Sequence, residues 1–245
     1  MVKDKKQRFW EIDVARGIAV ILMITYHIIY DLNFFHIISV NLFEGFFLLF
    51  LYPIGATFLF LVGISLTLSY AKAETVMTKR QRHWKFLERG VFIFGLGMLV
   101  TLGTWAYLGQ GYVVFGVLHC IGLSILLAYP LLRFRVPVLM LGVIFIVIGI
   151  FLRTFTVEFP WLLWLGFVPS TFSSVDYVPL LPYFGIVLLG IFAGNSIYTR
   201  GVRRFSLKDH SSFTPVRGLS FIGRHALVIY FLHEPIIVGL IMLLR

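Results

Sequence analysis

The sequence predicts an all-α fold: a polytopic transmembrane helix bundle of about seven spans, N-terminus cytoplasmic, built from residues 1–245 as one domain. Three observations predict it. Hydrophobic residues make up 59% of the chain and charged residues 13%, against about 45–50% and about 25% in soluble domains. Seven stretches are apolar over roughly the 20 residues that a span requires. All but two of the 21 Lys and Arg residues fall on one side of the resulting topology, which is the positive-inside pattern.

The first span covers 10–33. It is too long for a cleavable leader, carries Asp13 and Arg16 within it, and has no small-residue cleavage site after it, so it stays as a span. The second covers 46–71. An inner connection, 72–87, brings Lys72, Lys79, Arg80, Arg82 and Lys85 and leads to Arg89 at the head of the third span, 88–108. The fourth and fifth, 113–132 and 136–152, flank Arg133 and Arg135, and the fifth is short and starts beside Pro137. The sixth, 179–198, and seventh, 221–244, enclose an inner connection over 199–220. Lys3, Lys5, Lys6, Arg8, Arg16, Arg200, Arg203, Arg204, Lys208, Arg217 and Arg224 complete the inner charge, and Arg153 and Arg245 fall outside. The outer connection holds "FPWLLWLGF" (159–167), too short to cross. It reads either as an interfacial or re-entrant segment anchored by Trp161 and Trp164, or as a greasy loop on neighbouring helices.

The net charge of +10 is thus directed at anionic lipid heads. Nucleic acid is excluded as a partner, because the loops are too short to fold a basic aromatic surface. The single cysteine, Cys120, permits no intrachain disulfide.

Ionisable groups at membrane depth cost about 2.5–3.5 kcal/mol at a helix centre, so they face the bundle interior and mark sites. In "MITYHIIYDLNFFH" (23–36), His27 and Asp31 are four residues apart, neighbours on one helix face. Asp31 is placed to accept from one imidazole nitrogen of His27 and leave the other free as a base, the orienter-plus-base arrangement of acyl transfer. The same spacing also suits a pair that only ties helices together. His36 follows at the outer surface, and His119 in "FGVLHCIGLS" is expected in the outer half of its span. Asp176 lies at the mouth of the sixth span, and His233 and Glu234 lie in the seventh beside Pro235. Arg16, Arg89, Arg224 and His225 gather at the inner end. His83 and His210 read as loop residues. No H-E-x-x-H occurs, and His27 with Asp31 supplies only two ligands, so no metal is expected; G-x-S-x-G and phosphate-loop motifs are absent too.

Four blocks, "RFWEIDVARGIAVILMITYHIIYDLNFF", "FGVLHCIGLS", "DYVPLLPYFGIVLLGIFAG" and "GRHALVIYFLHEPIIVGL", together resemble the catalytic-domain family of heparan-α-glucosaminide N-acetyltransferase, and more narrowly its compact prokaryotic members. The resemblance implies a transmembrane acyltransferase that takes acetyl from acetyl-CoA at the cytosolic side. It delivers the group to a glucosamine amine on the far side, through a histidine near that side. Spacing after "RGIA" favours His36 as that histidine, whereas helix geometry favours His27 with Asp31. Family members often read His-Gln-Pro where this chain has His233-Glu234-Pro235.

The expected function is therefore transfer of an acetyl or other short acyl group from acyl-CoA to an amine or hydroxyl of an extracytoplasmic sugar or lipid-linked glycan. In that scheme His27, Asp31, His36 and His119 are the catalytic candidates. Arg16, Arg89, Arg224 and His225 hold the CoA phosphates, and Asp176, His233 and Glu234 hold the acceptor. Membrane lipids, acyl-CoA and a sugar or glycolipid are the expected partners, in the cell membrane, and Phe-rich faces are compatible with a homodimer. The competing readings are a proton-coupled transporter, against which the absence of inverted repeats weighs, and a non-catalytic lipid-binding membrane protein.

Overall fold

The computed structural model describes residues 9–42, 44–199 and 201–244. Lys3, Lys5, Lys6, Arg8, Arg200 and Arg245, which contribute to the charge asymmetry, lie outside the described residues. The chain is nearly all helical. In order, the helices are α1 (Trp10–Phe34), α2 (Gly45–Val76), α3 (Lys79–Leu108), α4 (Val117–Ala128), α5 (Val136–Leu152), α6 (Leu180–Ile197), α7 (Thr214–Arg224) and α8 (Ala226–Leu244). Four two-residue strands form two minimal ladders: β1 (Thr156–Val157) runs parallel to β2 (Val168–Pro169), and β3 (Tyr198–Thr199) antiparallel to β4 (Val202–Arg203).

Five helices are long and apolar enough to cross a membrane among the described residues: α1, the Pro53–Val76 part of α2, α3, α6 and α8. The stretches read as the fourth and fifth spans are shorter helices, Val117–Leu131 with its final 3₁₀ turn, and Val136–Leu152. Residues 113–116 stay out of α4, which starts only after Gly116.

Two other boundaries differ from the sequence expectation. The connection read over 72–87 is almost entirely helix, because Thr78 starts α3 early. Its Oγ1 accepts from the Gln81 N–H at 3.3 Å, while Gln81 Oε1 accepts from the Thr78 N–H at 2.9 Å, a reciprocal cap. His83 accordingly sits on α3 and not in a loop. The last span begins at Ala226, not 221, because the helix breaks at His225, and 214–224 form the separate helix α7. Pro215 in its first turn suits a helix start.

The chain divides into two compact units, Met1–Phe58 with Leu207–Arg245, and Leu59–Ser206. In the first unit α7 is amphipathic. It turns Ser220 and Gly223 inward and leaves Phe213, Arg217, Phe221 and Arg224 exposed. α7 lies on α1 with backbone against backbone: a Cβ on Gly17 would strike the Leu219 carbonyl, and one on Gly223 the Asp13 carbonyl. Asp13 therefore stands beside Gly223 while His27 stands beside His233, so α1 and α8 run in the same direction.

In the second unit α6 is the buried centre, with Phe184, Val187, Leu188 and Ile191 at most 3% exposed. Glycine again lets helices close on one another, Gly63 of α2 on Gly190 of α6, Gly142 of α5 on Gly185 of α6, and Gly90 of α3 on Gly122 of α4. Such small-residue contacts are how helices pack where lipid removes the hydrophobic drive between them. The outer faces are apolar: Val91, Phe92, Leu99, Leu102 and Trp105 on α3, and Met140, Val147, Ile150 and Phe151 on α5, are all exposed. A surface of that kind fits hydrocarbon and not water. Residues 159–167 form no helix. They make a run of turns closed by β1 and β2, and the N–H groups of Leu180 and Leu181 bond back to the Trp164 and Leu165 carbonyls. Trp161 and Trp164 are exposed and Leu163 is buried.

Candidate functional site

α1 and α8 place four titratable side chains together in the first unit. His27 and His233 meet ring to ring at 4.6 Å between centroids and nearly perpendicular, 89°. Glu234 Oε2 is 3.5 Å from His233 Nε2. The Asp31 carboxyl lies near Glu234. Asp31 and His233 are 3% and 8% exposed, whereas His27 and Glu234 are half-buried. His27 is 17 residues from the start of α1, about 25 Å along the helix at 1.5 Å per residue.

The hydrogen bonds differ from the expected His27–Asp31 pair. His27 Nδ1 meets the Met23 carbonyl at 2.9 Å, and His233 Nδ1 meets the Tyr230 carbonyl at 2.5 Å. A carbonyl only accepts, so each Nδ1 carries a proton, and in the neutral ring Nε2 is the acceptor. The carbonyl one turn back thus fixes the tautomer of His27, the task expected of Asp31. Asp31 Oδ2 makes no hydrogen bond among the described residues, and neither does His233 Nε2. His36 lies outside the cluster. It is exposed, at φ 58°, and bonds its N–H to the Asn33 carbonyl as the chain leaves α1.

At the other end of α1, Arg16 Nη1 bonds Asp13 at 3.1 Å and the Gly223 carbonyl at 3.1 Å, riveting α7 to α1. Arg224 is exposed, and its Nε donates to the Ser220 carbonyl at 3.0 Å. His225 is also exposed and lies against Phe221. An apolar groove of about 380 Å³ is lined by Ala15, Ile18, Ala19, Leu22, Pro53, Ile54 and Thr57. At 100° per residue those α1 positions face away from the stripe that carries Arg16, His27 and Asp31.

The second unit holds the remaining candidates. His119, the third residue of α4, is 1% exposed. Its Nδ1 accepts from the Gly116 N–H at 3.2 Å, leaving the proton on Nε2, which lies 3.3 Å from Thr101 Oγ1. Asp176 Oδ2 accepts from the Val117 N–H at 3.1 Å. Both side chains thus satisfy amides at the N-terminus of α4, groups that a helix leaves without internal partners. Next to Asp176, Tyr177 donates its hydroxyl to the Leu163 carbonyl at 2.8 Å, and burial pushes the phenol up to about 12. Arg89 is exposed on α3.

No curated protein and no solved structure matches the chain. A family model does, the one described as heparan-alpha-glucosaminide N-acetyltransferase, catalytic, over residues 8–235. That match takes in α1 and the cluster residues His27, Asp31, His233 and Glu234, together with nearly everything between. The chain belongs to the heparan-α-glucosaminide N-acetyltransferase catalytic-domain family.

Proposed function

We propose that this integral membrane protein transfers an acetyl or other short acyl group from acyl-CoA to an amine or hydroxyl of an extracytoplasmic sugar or lipid-linked glycan, with His27 as general base. The two units serve as one acyltransferase domain, crossing the cell membrane seven times from a cytoplasmic N-terminus. The parallel course of α1 and α8 supports an odd number of crossings. Family membership makes the protein an acetyltransferase. The observation that carries the finer reading is His27 itself, an imidazole held by a backbone carbonyl at Nδ1 and open at Nε2, far up a membrane-spanning helix.

The residues fit this chemistry in stages. A general base must present a lone pair in a fixed place, and the Met23 carbonyl fixes it. The acceptor's amine or hydroxyl gives its proton to Nε2 as its own lone pair attacks. Asp31 and Glu234 stand beside the imidazolium that results and stabilise it. They also offer hydrogen-bond acceptors to a polyhydroxylated or amino acceptor, as does His233 through Nε2. Bound acyl-CoA would supply the activated thioester carbonyl, and when its C–S bond breaks the CoA sulfur would leave as the thiol, taking back the proton held on Nε2. Its phosphates find a fitting donor set at the other end of α1, where the Arg224 guanidinium and the His225 ring are exposed beside the held Arg16.

The test is release of free CoA from acetyl-CoA by the detergent-purified protein, with an amino sugar as acceptor. Release that depends on acceptor and is abolished by His27→Ala supports the proposal. Turnover retained in His27→Ala moves the base to His36 or His119. Uptake of substrate into proteoliposomes without chemical change makes the protein a carrier instead.

A further inference from the structure

The sequence alone shows two ligand-type residues near each other, His27 and Asp31; the fold adds His233 and Glu234 to them. One ligand atom from each of His27, His233 and Glu234 lies within 4.8 Å of the other two. We propose that these three side chains, with Asp31 as the fourth, bind a divalent transition-metal ion of the zinc type, and that the ion silences the base.

Four features of the cluster point to a cation. Both imidazoles use Nδ1 on a backbone carbonyl, at Met23 and Tyr230, and keep Nε2 for something else. That outer hydrogen bond is the habitual support of a metal-bound histidine. His233 Nε2 and Glu234 Oε2 are 3.5 Å apart, about the edge of a tetrahedron with arms of ~2.1 Å, the reach of zinc to nitrogen and oxygen. Asp31 and His233 are more than nine-tenths buried, and each carries an atom with no hydrogen bond, Oδ2 and Nε2. A buried polar atom without a partner costs about 1–3 kcal/mol; an ion among the three ligand atoms would satisfy His233 Nε2, with the Asp31 carboxyl nearby to complete its shell. Finally, two carboxylates balance the charge of a divalent ion at a depth where unbalanced charge is expensive. Two histidines and two carboxylates match the nitrogen and oxygen preference of zinc, and no thiolate is present to favour a softer ion.

An ion on His27 Nε2 takes the lone pair that would accept the acceptor's proton. Metal binding stands on the geometry alone; the inhibition rests on the acyl-transfer reading. The experiment strips the detergent-purified full chain with chelator, titrates it with Zn²⁺ alone by calorimetry, and counts metal per chain after desalting. In parallel, Co²⁺ is added and its visible spectrum recorded for the bands of a tetrahedral site. One ion per chain is expected. Glu234→Gln, nearly isosteric at a half-exposed position, should weaken binding by at least ~10–100-fold, as should His233→Ala. Substoichiometric Zn²⁺ at saturation overturns the site, and so does undiminished binding in both variants. Zn²⁺ bound one to one in a protein without acyl transfer leaves the site standing and removes the function. Transfer unaffected by bound Zn²⁺ removes the inhibition.

Discussion

Replacing His27 separates anchoring from proton transfer, because its two nitrogens do different work. Nδ1 holds the Met23 carbonyl at 2.9 Å, and Nε2 is the proposed base. In His27→Asn the side-chain amide nitrogen falls near the old Nδ1 and can still donate to Met23, but nothing occupies the place of Nε2. In His27→Ala both are lost. The anchor is one hydrogen bond, with a net contribution of about 0.5–1.5 kcal/mol, and both substitutions remove the ring's contact with His233. A positioned base contributes about 10²–10⁴-fold in rate. His27→Asn should thus lose about 10²–10⁴-fold in kcat, and His27→Ala should lose as much rate but melt lower than His27→Asn. Unfolding can be followed with a thiol-reactive dye, since the single thiol, Cys120, is fully buried and reacts only when the chain opens. CoA release gives kcat. If His27→Asn turns over within about threefold of the parent, Nε2 takes no proton in the reaction, and the assignment of the base is wrong.

Four further outcomes follow from the packing and the hydrogen bonds. Gly223→Ala sets a Cβ against the Asp13 carbonyl and should cost about 1–3 kcal/mol in dye-monitored stability, whereas Gly218→Ala, on the same helix with open space, should gain up to ~1 kcal/mol. His119→Leu leaves the buried Gly116 N–H unpaired and should cost about 1–3 kcal/mol without changing kcat of the folded fraction; a rate loss at unchanged melting would place His119 in the chemistry. Asp176→Ala removes the acceptor for Val117 and should cost about 0.5–2 kcal/mol. The Tyr177 phenol is raised by burial to about 12 from an ordinary 10.0, so its stabilising effect is complete below pH 10 and disappears as pH rises through 12. Melting followed from pH 9 to 12 should show a smaller alkaline loss in Tyr177→Phe than in the parent.

Most of the helices were legible from the sequence because length and apolarity are local properties. α1, α6 and α8 need no knowledge of their neighbours to be recognised. α7 was hidden for the converse reason. Its residues alternate Phe and Arg outward with Gly and Ser inward, a pattern that makes sense only once α1 is present to cover Gly223. The early start of α3 was visible in Thr78 and Gln81, three residues apart, but the surrounding Lys and Arg read as a loop. At the site, sequence spacing brought His27 and Asp31 to one face but left the hydrogen bond undetermined. An imidazole at position i finds the carbonyl at i−4 as readily as a carboxylate at i+4, and here it finds Met23. The approach of His233 and Glu234 belongs to tertiary structure, since 206 positions separate His27 from His233. His119 carried a usable signal, a polar side chain three residues after the glycine that starts α4, which is where a returning cap sits.

The glycine contacts set a limit on how the molecule can move. Where Gly17 and Gly223 bring α1 and α7 backbone to backbone, and Gly63 and Gly190 do the same for α2 and α6, no pliable side chain lies between the helices to re-pack. Each pair must therefore travel as one stiff plank. The chain leaves this close helix packing at the break at His225 and in the turns over 159–167.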